Sequence, residues 1–151
     1  MKKLPDINVW LALSLSGHYH HAVARQWLDG ETESSSIYFT RSTQQGLVRL
    51  LSTEAILAPY GMPALTNVAA WDVVERLLSD DRVAFANEPE GVEATWKMFA
   101  LQERSSPKLW MDAWLAAFAI QGKYQLVTID KAFKQFQGLD VNFLSLKIES
   151  Q

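Results

Sequence analysis

The chain has 151 residues, 48% hydrophobic and 21% charged, the balance of one globular domain, residues 1–151, with enough length for a real core. Its net charge of −3 and pI near 5.6 exclude a broad basic footprint for duplex DNA. With no cysteine, disulfides and thiolate zinc sites are excluded, and with no apolar run of some 18 residues a cytoplasmic protein off the membrane is expected.

Lys2 to Pro5 reads as a short strand, with Pro5 tolerable only near its end. Asn8–Leu15 is predicted as a helix that stops before Ser16-Gly17. His18, His20 and His21 lead into a second helix, Ala22–Leu28, closed by Asp29-Gly30; without a cysteine or acid at ligand spacing they open that helix rather than bind zinc. Glu31 to Ser36 is a polar loop, and Ile37–Thr40 is the second strand. Ser42 is the expected N-cap of a helix over Thr43–Leu51.

Pro59–Pro63 reads as a loop. Thr66 or Asn67 then caps Val68–Leu78, whose apolar residues Val68, Trp71, Val74, Leu77 and Leu78 recur at helical spacing. Val83–Ala86 is a third strand, Val92–Gln102 a helix, and Ser105-Ser106-Pro107 a break. Tyr124–Thr128 is a fourth strand and Val141–Leu144 a last edge strand. Strands separated by one or two helices predict a three-layer α/β/α arrangement around a short, mainly parallel sheet. The six tryptophans, Trp10, Trp27, Trp71, Trp96, Trp110 and Trp114, belong mostly to the core or a dimer interface.

Between the break and the fourth strand lies WMDAWLAAFAI, residues 110–120, where Asp112 is the only charged or strongly polar side chain. A helix that apolar belongs inside a domain, packed on both sides, and Gly122 is the expected residue just past its end. An unpaired buried carboxylate costs several kcal/mol, and a first-turn position returns only about 0.3–1 kcal/mol, or about 2 when partly buried. A cation, or a basic side chain with other acids around it, is therefore expected beside Asp112. Asp130 lies just past the tip of the fourth strand, and Asp6 follows the first. Ligands of open parallel sheets collect outside the carboxyl ends of the strands. Asp6, Asp112 and Asp130 are accordingly expected to converge on one metal-bearing edge. Carboxylates and waters suit a hard divalent cation, Mg²⁺ or Mn²⁺, with Asp6 and Asp112 as ligands and Asp130 holding the attacking water.

The chain resembles the PIN-domain nucleases, specifically the VapC-type toxins of bacterial toxin–antitoxin pairs. The resemblance rests on residues 5–13 (PDINVWLAL), 43–51 (TQQGLVRLL), 112–117 (DAWLAA) and 126–130 (LVTID), in that order and spacing. It implies a Mg²⁺- or Mn²⁺-dependent endoribonuclease acting on tRNA, rRNA or mRNA, a homodimer, silenced by a cognate VapB-type antitoxin. It also implies cleavage to a 5′-phosphate and a 3′-hydroxyl. Asp6 falls on the family's first metal acid, Asp112 on its third and Asp130 on its fourth. The second falls on Gln44, with Gln45 as the other choice; many PIN domains carry glutamate there, and glutamine adds no charge.

Around these, Asn8 is expected to fix the turn at Asp6 through a side-chain-to-backbone bond, and Thr43 and Thr128 to bond ligand waters. Arg41, Lys108 and Lys131 are the leading phosphate contacts, with Arg49, Lys123 and Lys134 behind them. Two other functions fit the same residues: an RNA-processing PIN nuclease without an antitoxin, and a catalytically weak metal- or RNA-binding module. A phospho-accepting receiver domain would need paired acids after the first strand and a late lysine opposite the acceptor acid, and neither feature is found.

Overall fold

The computed structural model describes residues 1–145. In chain order the elements are β1 (Lys3–Pro5), α1 (Ile7–Ser14), α2 (His21–Asp29), β2 (Ile37–Phe39), α3 (Arg41–Leu51), α4 (Glu54–Leu57), α5 (Asn67–Leu78), β3 (Val83–Phe85), α6 (Val92–Ala100), α7 (Leu109–Gly122), β4 (Gln125–Thr128) and β5 (Val141–Phe143). The strands form one sheet in the order β3-β2-β1-β4-β5, and every pair is parallel. No helix among the described residues is long and apolar enough to cross a membrane.

Alternation along these short strands splits the core into two layers. Ile37, Phe39 and Val127 point to one face and pack with Trp10, Leu47, Leu51 and Val74 from α1, α3 and α5. Leu4, Tyr38 and Leu126 point to the other and pack with Ala113, Ala116, Phe118 and the helix α6. Helices α1–α3 and α5 thus cover one side and α6 and α7 the other, the predicted three layers.

The chain runs outward from β1 to β3, then returns to lay β4 on the opposite side of β1. That reversal makes the gap between β1 and β4 the switch point, where a crevice opens beyond the strand ends. Pro5 is in register with Val127, so Asp6 lies across from Thr128.

Several boundaries differ from the sequence expectation. Thr40, not Ser42, caps α3: its hydroxyl accepts the Thr43 N–H at 3.0 Å while Thr43 Oγ1 accepts the Thr40 N–H at 2.9 Å. Two hydroxyls at the right spacing formed this reciprocal box, and it left Ser42 free on the first turn. At the end of α7 the left-handed position (φ 58°) is taken by Lys123 rather than Gly122. Gly122 answers a close approach instead, since a Cβ there would run into the Tyr124 ring. Pro59 lies in a 3-10 turn, Ala58–Tyr60, that continues α4. On α5 the core line runs through Ala70 and Val74, which leaves Val68 and Trp71 exposed. In the first turn of α7, Leu109 is buried while Trp110 and Met111 are about half exposed.

Candidate functional site

The first turns of three helices meet beyond the strand ends. Ile7 and Asn8 of α1, Ser42 and Thr43 of α3, and Met111 and Asp112 of α7 line a cavity of about 160 Å³, together with Asp6, Lys108 and Asp130. Each helix brings the positive end of its dipole toward this space. Asp6, Asp112 and Asp130, far apart in sequence, all line this cavity.

Asp6 is the most enclosed of the three, at 4% exposure. It is the N-cap of α1, with Oδ1 accepting the Val9 N–H at 3.1 Å and Oδ2 accepting the Thr128 hydroxyl at 2.5 Å. Among the described residues, no cationic side chain pairs with it. Burial therefore pushes its pKa up to about 6, against the pull of those two donors and with the help of the Asp130 and Asp112 charges. Gly46 of α3 closes the packing behind it, since a Cβ there would collide with Ile7.

Asp112 stands in the first turn of α7 and is half-buried. Desolvation raises its pKa, the Lys108 ammonium opposes the rise, and Asp130 adds to it. Asp130 caps the turn after β4, with Oδ1 accepting the Ala132 N–H at 2.9 Å. Burial works to raise its pKa, but that N–H and the Lys108 ammonium outweigh it and hold the carboxyl below its usual value. The positive partner expected beside Asp112 is Lys108, whose Nζ lies 3.9 Å from Asp112 Oδ2 and 3.0 Å from Asp130 Oδ2. Among the described residues, no three His, Cys, Asp or Glu side chains close to metal-ligating geometry; the acids stand around an ammonium.

The supporting residues take roles of their own. Thr128, fully buried, donates to Asp6 and accepts the Asp130 N–H at 2.9 Å, so one hydroxyl ties two acids together. Thr43 lines the cavity but spends its hydroxyl on the α3 cap. Asn8 lies on the cavity rim, and the bond that fixes the turn there is made by Asp6 itself. Gln44 is buried beside the cavity rather than lining it; its Oε1 accepts the Arg41 guanidinium at 2.5 Å, while Arg41 stacks 4.6 Å over the Phe85 ring. Gln45 is exposed. Lys131 and Lys134 are exposed beyond the cavity lining, Arg49 belongs to a separate hollow under α5, and Lys123 precedes β4 at the opposite edge of the sheet.

Sequence reasoning missed Ser42 as a lining residue and the bridge made by Lys108. The signal for the bridge was present, because Lys108 and Asp112 are spaced i, i+4 on a helix start.

The PIN domain family matches residues 3–139. Ribonuclease VapC41 of Mycobacterium tuberculosis is 49% identical over 143 residues, covering 94% of this chain and 98% of that protein. The chain belongs to the PIN-domain family, among the VapC ribonucleases. Ribonuclease VapC44 of the same organism is 29% identical over 136 residues, covering 87% of this chain and 88% of its own length. Two solved structures share the PIN fold at low identity. VapBC2 from Rickettsia felis, solved bound to a DNA fragment from its promoter, covers 96% of this chain and 100% of its own, with a TM-score of 0.63 and 12% identity. VapBC-1 from nontypeable Haemophilus influenzae covers 95% and 98%, with a TM-score of 0.63 and 16% identity.

Proposed function

We propose that this PIN domain is a Mg²⁺- or Mn²⁺-dependent endoribonuclease, the toxin half of a pair with a VapB-type antitoxin, acting as a homodimer on RNA in the cytoplasm. The observation that carries the reading is the meeting of Asp6, Asp112 and Asp130 at the β1–β4 switch point. The relative named a ribonuclease, and fold neighbours solved as VapBC assemblies, support the enzyme and its partner.

The donor set fits a hard divalent cation: among the described residues three carboxylates are offset by one ammonium, and that ammonium pairs with Asp112 and Asp130 rather than with the more buried Asp6. Asp6 and Asp112 would hold it. When bound, it lowers the pKa of a water and stabilises charge on the scissile phosphate.

The chain's own groups supply the rest. Thr128 holds Asp6 and the Ala132 N–H holds Asp130 through Oδ1, while Asp130 Oδ2, shared with the Lys108 ammonium, would orient the attacking water and take its proton. The three helix starts favour the negative phosphate that enters between them. Gln44, engaged by Arg41, adds no carboxylate, which favours a single ion over a pair.

Incubating the full chain with structured RNAs and Mn²⁺ tests the reading. Cleavage is expected from the wild type and lost with EDTA, and Asp6→Asn and Asp112→Asn should each lower it on the order of 10²–10³-fold. Equal cleavage by wild type and Asp112→Asn would end the assignment. Growth arrest on induction, relieved by a small protein from the adjacent reading frame, separates a toxin from a processing nuclease.

A further inference from the structure

Lys108 is badly placed for the helix it precedes. It is the N-cap of α7 and makes no side-chain capping bond, and lysine is not a capping residue. Its positive charge lies at the positive end of the helix dipole, where a cation is disfavoured. Its order relative to Asp112, base before acid at i, i+4, is also the weaker one for a helix. Local structure therefore does not account for this lysine. The acids do: Nζ reaches 3.0 Å from Asp130 Oδ2 and 3.9 Å from Asp112 Oδ2, joining the end of β4 to the start of α7, while the side chain stays 72% exposed.

We propose that Lys108 is a tethered counter-ion: in the metal-free chain its ammonium occupies the space between Asp112 and Asp130, and a divalent cation binds only by displacing it. The inference rests on the reading of Asp6, Asp112 and Asp130 as the metal site. Three features of the geometry carry it. The ammonium contacts two of the three acids that would hold the ion, Asp112 and Asp130. An exposed pair of this kind is held weakly against solvent, so a doubly charged ion displaces it readily. The long stem keeps the released ammonium at the mouth of the same cavity, where it is left to meet a substrate phosphate. Metal loading and phosphate binding then share one side chain: the free acids hold Lys108 back from RNA until the ion arrives.

Titrating Mn²⁺ into the metal-stripped full chain by calorimetry tests the proposal, with wild type, Lys108→Met, Lys108→Arg and Lys131→Met compared at low ionic strength. Lys108→Met should bind Mn²⁺ roughly two- to fivefold more tightly than wild type, the affinity equivalent of losing one exposed ion pair. Lys108→Arg should match wild type. Lys131→Met, a charge loss beside Asp130 but outside the cavity, should change affinity less than Lys108→Met. Without metal, Lys108→Met should also melt below wild type, and saturating Mn²⁺ should close that gap. Affinity in Lys108→Met equal to or weaker than wild type overturns the counter-ion. Asp6→Asn separates this from failure of the site itself: if Asp6→Asn keeps wild-type Mn²⁺ affinity, the ion binds elsewhere and both readings fall. If it loses Mn²⁺ while Lys108→Met matches wild type, the counter-ion alone falls.

Discussion

Asp80 and Asp6 are both carboxylates on turns beside the sheet, and their surroundings are opposites. Asp80 is gripped by Arg82, with Nη2 donating to Oδ2 at 2.7 Å and Nε and the backbone N–H both donating to Oδ1 at 3.0 Å. Arg82 in turn donates to the Leu28 and Glu31 carbonyls, so its donors are largely used within the fold. That fork holds Asp80 at about 2, its direct hydrogen bonds outweighing burial. Asp6 is more deeply enclosed yet faces a hydroxyl, an amide and two more acids, and is pushed up to about 6. A carboxylate closed off by a fork stabilises a fold, whereas one buried with its charge uncompensated is held at a cost to the fold and is available to a ligand.

Exchanging each acid for its amide gives the largest contrast. Asp6→Asn should lower cleavage on the order of 10²–10³-fold while leaving metal-free stability at pH 7 unchanged or higher, because asparagine caps a helix as well as aspartate does. Asp80→Asn should keep cleavage but cost about 1–3 kcal/mol, since the arginine loses its charged partner. Urea unfolding at pH 7 in EDTA measures both. An Asp6→Asn chain less stable than Asp80→Asn would collapse the distinction.

Changing the pH should separate the two acids by sign. Asp6 is raised from 3.8 to about 6, so between those values the folded chain binds more protons than the unfolded one and stability falls as pH rises. The loss is about 3 kcal/mol by pH 7. Asp112 shifts in the same direction. Asp80 runs the other way: its contribution is present above the ordinary carboxylate value and disappears as pH drops through about 2. Metal-free urea midpoints should therefore decline from pH 4 to pH 7, and Mn²⁺ should remove most of the decline. A midpoint climbing through that window contradicts the account of Asp6.

Moving the fork into the site gives the smallest effect. Gln44→Glu would offer Arg41 a charged partner of the kind Asp80 offers Arg82, tying up the guanidinium. RNA affinity, measured by fluorescence anisotropy of the Asp112→Asn chain to prevent cleavage, should fall roughly two- to fivefold. Unchanged affinity would show that Arg41 is not used on RNA.

Much of this was legible in the sequence, for identifiable reasons. Asp6 and Asp130 each follow a short β-prone run, and Asp112 interrupts an apolar one, so strand ends and a buried charge pointed to the same edge. The three layers followed from the alternation of strands and helices. What escaped was set by contacts between distant segments. Thr40 and Ser42 are equally good caps until Thr43 completes the box with one of them. The outward turn of Val68 and Trp71 depends on which line of α5 meets α3, and no local spacing decides that. Gly122 reads as a helix terminator, but its reason is the ring of Tyr124.

The pairing of Pro5 with Val127 makes this centre a matter of counting. Adding or deleting one residue within β4 would rotate Thr128 to the far side of the sheet and carry Asp130 out of reach, silencing the molecule with all its acids intact. The site therefore depends on chain length between β1 and β4 as much as on the acids themselves.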